Sequence, residues 1–388
     1  MMGFDFLIPI DEDLKEEIQN FPDQSLSRIV TFYDDLSDDE IGSFDMAIVS
    51  VAEVRDSVYE QKSDFCFAEI RRALYKLFIG NWKTNILDLG NIEAGAEVSD
   101  TNYVLKSLIS ELLKKNIVPI ILGGSQNLTF PQYRAYDGIK YMVNLSTIDH
   151  KFDLGNSALP MNGQSYVGKM IIDEPYNLFN YANLGYQTFL SPQEEIDLMD
   201  KLFFDALRLG LLKKDITKAE PVLRDSDMLS IDMSVVKTSE LGDSSHFMPN
   251  GFDSIELCAL SRYAGMSEKL TSFGLYEMQS IRKSENFINL TAQVLWYFFE
   301  GFNLRLKENV SEANNNITKY SVPVADEVLV FFKSEKSKRW WMKIPSSEKI
   351  DNNLSKASLL ACDEQDYLDA CNSMIPERWL NAKYKNLL

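Results

Sequence analysis

Residues 116–130, NIVPIILGGSQNLTF, and residues 146–154, STIDHKFDL, decide the architecture. In the first stretch Ile117 to Leu122 is an apolar run of strand length that stops on Gly123-Gly124. A run without polar alternation is buried on both faces, as strands are in a parallel sheet covered by helices. The second stretch brings Asp149, His150, Lys151 and Asp153 directly after another apolar segment, 141–145, and the polar pair Ser146-Thr147. Open α/β sheets gather ligands beyond the carboxyl ends of their strands, so these polar strand ends mark a functional cleft.

The same rhythm extends outward. Short apolar runs recur at 44–51, 86–89, 228–231 and 270–276, and Asp232 and Glu277 stand at the ends of the last two. Between strands, 100–116 sets Val104, Leu105, Leu108, Ile109, Leu112 and Leu113 on one helical stripe, with Asp100 or Thr101 as N-cap. The fold class expected is α/β, a three-layer αβα sandwich around a central, mostly parallel sheet. Residues 1–304 form one large domain with its core at about 40–304, and 305–388 form a C-terminal extension packed on it. That extension reads as a polar loop over 305–322, a β-hairpin from 328–332 and 339–344, and a terminal helix. Trp340 and Trp341, adjacent on a strand, face opposite ways.

Composition narrows the function. The 388 residues are 45% hydrophobic, enough for a well-buried core, and 39 basic against 58 acidic residues give a formal charge of −19. That charge repels phosphate backbones and excludes nucleic acid or an anionic membrane as the main partner. The four cysteines, Cys66, Cys258, Cys362 and Cys371, show no CxxC spacing and read as reduced thiols. The first residues lack a basic segment followed by an apolar one, and a cytoplasmic protein is expected. His150 and His246 are the only two histidines, which excludes any histidine-rich mechanism. His246 falls in a polar loop and reads as a surface residue. The acidic run 35–40, DLSDDE, reads as a solvated loop.

Taken in order, the strand-end motifs resemble those of the ureohydrolases, the family of arginase, agmatinase and formimidoylglutamase. The family's Gly-Gly-Asp-His-Ser reads here Gly123-Gly124-Ser125-Gln126-Asn127, and its Asp-Ala-His-x-Asp reads Asp149-His150-Lys151-Phe152-Asp153. Its Ser-Phe-Asp-x-Asp is matched by Ser230-Ile231-Asp232-Met233-Ser234, and its Pro-x-Gly-Gly by Pro249-Asn250-Gly251-Phe252. ILDLGNI at 86–92 belongs to the same likeness, and LTSFGLYEMQ places Glu277 at the family's substrate-side glutamate. The likeness covers roughly 40–304, with every motif altered and all in the right order.

Members of that family hold two manganese ions with two histidines and four aspartates, which lower the pKa of a shared water for attack on a guanidinium or amidine carbon. Carried over residue by residue, the retained ligands are Asp149, Asp153 and Asp232, and the substituted positions are Gln126, Lys151 and Ser234. From these changes the sequence leads one to expect no cofactor, or at most one weakly bound divalent cation (Mg, Ca or Mn), with the Lys151 ammonium standing in for the second metal. On a regular strand Asp149, Lys151 and Asp153 share one face and His150 and Phe152 the other; a one-residue bulge turns His150 into the cleft instead. The main functional expectation is a pseudoenzyme, a ureohydrolase fold used as a binding, assembly or sensor module. The alternative is a divergent hydrolase of linear amidine C–N bonds. Glu277 suggests affinity for a small cationic metabolite, and the family resemblance implies self-association or a protein partner.

Overall fold

The computed structural model describes residues 4–36, 40–58, 65–140, 142–156, 159–242, 248–278, 284–345 and 359–387. His246 and part of the 35–40 acidic run lie outside them. Nine strands make the central sheet: β1 (Val30–Phe32), β2 (Met46–Val51), β3 (Ile86–Ile92), β4 (Val118–Gly123), β5 (Val143–Ile148), β6 (Leu178–Tyr186), β7 (Asp205–Arg208), β8 (Met228–Asp232) and β9 (Ser272–Tyr276). Their order is β1-β3-β2-β4-β9-β8-β5-β6-β7, and every pairing is parallel.

Alternation along each strand divides the core in two. Met46 and Ile48 of β2 join one apolar cluster, with helices Phe67–Tyr75, Ser254–Gly265 and Glu285–Asn303 over it. Ala47, Val49 and Val51 join the other, under helix Val98–Lys114, whose Val104, Leu105, Leu108, Ile109 and Leu112 are all buried. The αβα sandwich follows, because each β2 side chain meets apolar surface whichever way it points. The Val98–Lys114 helix begins two residues before the expected Asp100; Glu97 and Asp100 close it with a capping box.

β1, β6 and β7 are strands that apolar patterning does not reveal. β6 reads LFNYANLGY, and its Asn180 and Asn183 side chains bond to Asp205 and to Thr147, so polar residues are satisfied inside the sheet.

The extension builds a second sheet, antiparallel in the order β10 (Ile317–Val324), β11 (Glu327–Ser334), β12 (Trp340–Lys343), β13 (Leu359–Cys362). The hairpin of β11 and β12 matches expectation, but the polar loop read over 305–322 does not: from Ile317 the chain is strand β10. Among the described residues β10 pairs only with β11, and an edge strand tolerates Pro323. The sheet has its own core, with Leu329, Phe331, Trp340, Met342 and Trp379 buried. Arg224 ties it to the large sheet, donating from Nη2 to the carbonyls of Trp340 and Cys362 at 3.0 Å each and lying 4.5 Å over the Trp341 ring. Trp340 is buried and Trp341 half-buried, on opposite faces. Cys66, Cys258 and Cys362 are buried thiols outside any disulfide, and Cys371 is exposed. Among the described residues, no helix is long and apolar enough to cross a membrane.

Candidate metal centre

Four neighbouring strands in the middle of the sheet, β4, β9, β8 and β5, deliver the site from their carboxyl ends. β5 ends at Ile148, so Asp149, His150 and Lys151 follow the strand and escape its strict alternation. Asp149, His150, Lys151, Asp153, Asp232 and Glu277 all line one small cleft, together with Gly163. Asp153 and Glu277 hold left-handed backbone angles, φ 54° and 59°. Such angles are uncommon outside glycine and are retained where surrounding structure fixes them, often at functional positions.

Ligand-bearing atoms of Asp149, His150 and Asp232 lie within 4.8 Å of one another, and all three side chains are buried. His150 Nδ1 is 3.4 Å from Asp149 Oδ1. The regular-strand reading, which turns His150 away from the cleft, is therefore corrected: the strand has ended, and the imidazole joins the carboxylates. Asp149 Oδ1 also accepts the Lys151 N–H at 3.0 Å, whereas Asp149 Oδ2 is buried without a hydrogen-bond partner. Asp232 Oδ1 accepts the Ser234 N–H at 2.7 Å. Burial, then the charge of Asp149, pushes the Asp153 carboxyl well above its usual range; burial, Asp149 and Glu277 do the same to Asp232. Carboxylates packed so closely are a place where a cation is stabilising.

The substituted positions behave differently from one another. Gln126 is buried; its side-chain amide donates to Ser230 Oγ at 2.9 Å and Tyr166 OH at 3.2 Å, its Oε1 has no hydrogen-bond partner among the described residues, and its backbone N–H is 2.7 Å from Glu277 Oε1. Ser234 likewise supports Asp232 through its backbone. Lys151 lines the cleft, yet its ammonium forms no ion pair with Asp149, Asp153 or Asp232. Its field is felt by Asp153 and by Glu195. The expectation that this ammonium sits among the carboxylates as a metal surrogate does not hold.

Glu277 is fixed from three sides. Its N–H donates to Gly124 O at 2.6 Å, Oε1 accepts from Gln126, and Oε2 accepts the Ser57 hydroxyl at 3.2 Å. Gly124 is required here, because a Cβ would fall 2.0 Å from Glu53 O. Ser57 was not legible as a site residue; no motif frames it. Nor was Gly163, whose backbone runs beside the Glu277 carboxylate.

A sheet of this order, with acidic and imidazole groups after β5 and β8 and a glutamate after β9, defines a ureohydrolase-type α/β fold. The Arginase family model matches residues 44–300, and the chain belongs to the arginase family. It is similar to a formimidoylglutamase of Geobacillus sp. (strain WCH70), 24% identical over 229 residues, which are 55% of this chain and 69% of that protein. In structure it resembles formimidoylglutamase of Bacillus subtilis (TM-score 0.63, 18% identity, 74% of this chain and 95% of that one). It also resembles formiminoglutamase of Trypanosoma cruzi solved with Mn2+ (TM-score 0.60, 15% identity, 68% and 95%). The expectation of no cofactor, or at most one weakly bound cation, is overturned by this membership and by relatives that carry Mn2+. It rested on counting substitutions at motif positions and did not include His150 among the donors.

Proposed function

We propose that this chain is a metal-dependent hydrolase of the C–N bond in a linear amidine, of the formimidoylglutamase kind, with manganese as its metal. The observation that carries the reading is the convergence of Asp149, His150 and Asp232 ligand atoms within 4.8 Å at the carboxyl ends of β5 and β8. The donor set fits the ion: an imidazole nitrogen with carboxylates suits manganese, and the partnerless Asp149 Oδ2 is an acceptor available to a cation. Asp149, His150 and Asp232 would hold it, with Asp153 beside them on the cleft wall. Manganese held there supplies a water of lowered pKa for attack on the amidine carbon.

The chain's own residues do the rest. Glu277, its carboxylate oriented by the Gln126 N–H and the Ser57 hydroxyl, pairs with the cationic amidinium and sets its carbon towards the Asp149 and Asp232 side of the cleft. The Ser234 N–H holds Asp232 in place from behind. Water adds to the amidine carbon, the bond to the substituted nitrogen breaks, and that nitrogen leaves as an amine after taking a proton.

A second reading, a sensor that binds cation and ligand without turnover, is favoured by one feature: Lys151 and Ser234 stand where the family motifs carry a histidine and an aspartate. Turnover separates the two. Release of product from formimidoylglutamate, agmatine or arginine by the manganese-loaded protein, lost in Asp232→Asn, supports the hydrolase; saturable binding of the same compounds without product supports the sensor. Under either reading we also propose a cytoplasmic protein that self-associates, with residues 1–304 as its arginase-like body and 305–388 as an appended unit.

A further inference from the structure

At the other end of the sheet, beneath the amino ends of β5, β6 and β7, the extension and the large domain border a cleft. It is roomier than the cleft at the candidate metal centre. Its walls come from both parts of the chain: Phe179, Phe203 and Asp205 from one, and Arg378, Asn381 and Lys385 from the other.

Charge in this cleft is unevenly satisfied. Lys269 pairs with Asp225, and Arg378 donates to Ala361 O at 3.0 Å with Asp366 at 3.8 Å. Lys385 has no carboxylate of the described residues within ion-pair distance; its ammonium donates to the Asn180 amide oxygen and lies over the rings of Phe204 and Phe179, 5.3 and 5.8 Å from their centroids. Asp205, whose charge reaches Lys385 without an ion pair, is bound by the Asn180 amide at 2.8 Å. Among the lining residues, cations outnumber carboxylates, and the direct hydrogen-bond and ring contacts of Lys385 are all to neutral groups. Burial pushes the Lys385 ammonium down to about 8, as expected of a cation short of a counter-charge. An anion in the cleft meets that need, and the aromatic walls accept an apolar body beside it.

We propose that this cleft is a second binding site, separate from the metal centre, for a small organic anion, a carboxylate or a phosphate monoester, with its charge on Lys385 and its apolar part against Phe179 and Phe203. The site requires the extension, which gives residues 377–387 a role that the hydrolase fold does not assign them.

Isothermal titration of the full-length protein with phenyl phosphate and with phenylacetate tests this, with inorganic phosphate as the reference. Saturable binding of at least one phenyl compound is expected, with Kd below about 1 mM. Lys385→Met weakens it by about tenfold or more, Lys385→Arg retains it, and Asn381→Trp, which fills the cleft, removes it. Binding of phenyl phosphate alone assigns the phosphate class, and of phenylacetate alone the carboxylate class. The proposal is overturned if neither compound binds, if inorganic phosphate binds as tightly as phenyl phosphate, or if Lys385→Met and Asn381→Trp bind like the parent while unfolding at the same temperature.

Discussion

His150 Nδ1 lies 3.4 Å from Asp149 Oδ1, and both residues bring a ligand atom within 4.8 Å of Asp232. If that arrangement holds manganese, His150→Ala lowers manganese affinity by about tenfold or more, and Asp232→Asn by more than that, because it removes charge as well as a ligand. Competition with a metal-sensitive dye reads both. Equal affinity in His150→Ala would place the imidazole outside the coordination sphere.

Lys151 stands at the family motif's histidine and lines the cleft without pairing to its carboxylates. Replacing it by histidine removes a positive charge and adds a neutral donor, so Lys151→His is expected to bind manganese about tenfold more tightly than the parent and to turn over faster. Reduced metal retention in that variant contradicts the orientation given to Lys151.

Glu277 is held by Gln126 and Ser57 and is assigned to the substrate's cation rather than to the metal. Glu277→Gln is therefore expected to raise KM by about tenfold or more with manganese content unchanged. A loss of metal in place of a KM effect would move Glu277 into the metal shell.

Arg224 is buried against Glu220, bonds two carbonyls of the second sheet and stacks on Trp341. Arg224→Met leaves Glu220 with Arg339 as its remaining partner and is expected to destabilise the chain by about 3 kcal/mol. Protease cleavage within 305–388 should become faster than cleavage of the large domain. Uniform loss of protection across the chain contradicts the account of Arg224 as the link.

Lys385 has a pKa pushed down to about 8, against about 10.4 in an unfolded chain. Between those values the unfolded state binds more protons, so this residue's contribution to stability rises with pH across that window, and its full penalty is present below about pH 8. Lys385→Met is thus expected to be more stable than the parent at pH 7, with the gap closing towards about pH 10. Urea unfolding at the two pH values checks the sign; a gap that widens with pH contradicts it.

The strands that carry the site were legible because β4, β5, β8 and β9 each hold a short apolar run that gives way to polar residues or glycine at or just past the strand's end. β6 was not, since its asparagines bond within the sheet, and β1 is too short to show a pattern. The order of the motifs exposed the family; the geometry around His150 did not follow from it, because alternation predicts direction only while the strand lasts. The usable signal was scarcity: one of two histidines stands beside a retained aspartate. Contacts made by backbone groups, such as Gln126 N–H on Glu277, leave no trace in residue type.

The most direct measurement is elemental analysis of manganese in the purified protein after loading and desalting, on the parent and on Asp149→Asn and Asp232→Asn, with formimidoylglutamate hydrolysis followed on the same samples. The account predicts manganese retained by the parent together with product formation, and both lost in the two variants. A parent that keeps no manganese, or variants that keep as much as the parent, would contradict the assignment of Asp149, His150 and Asp232 as a metal centre.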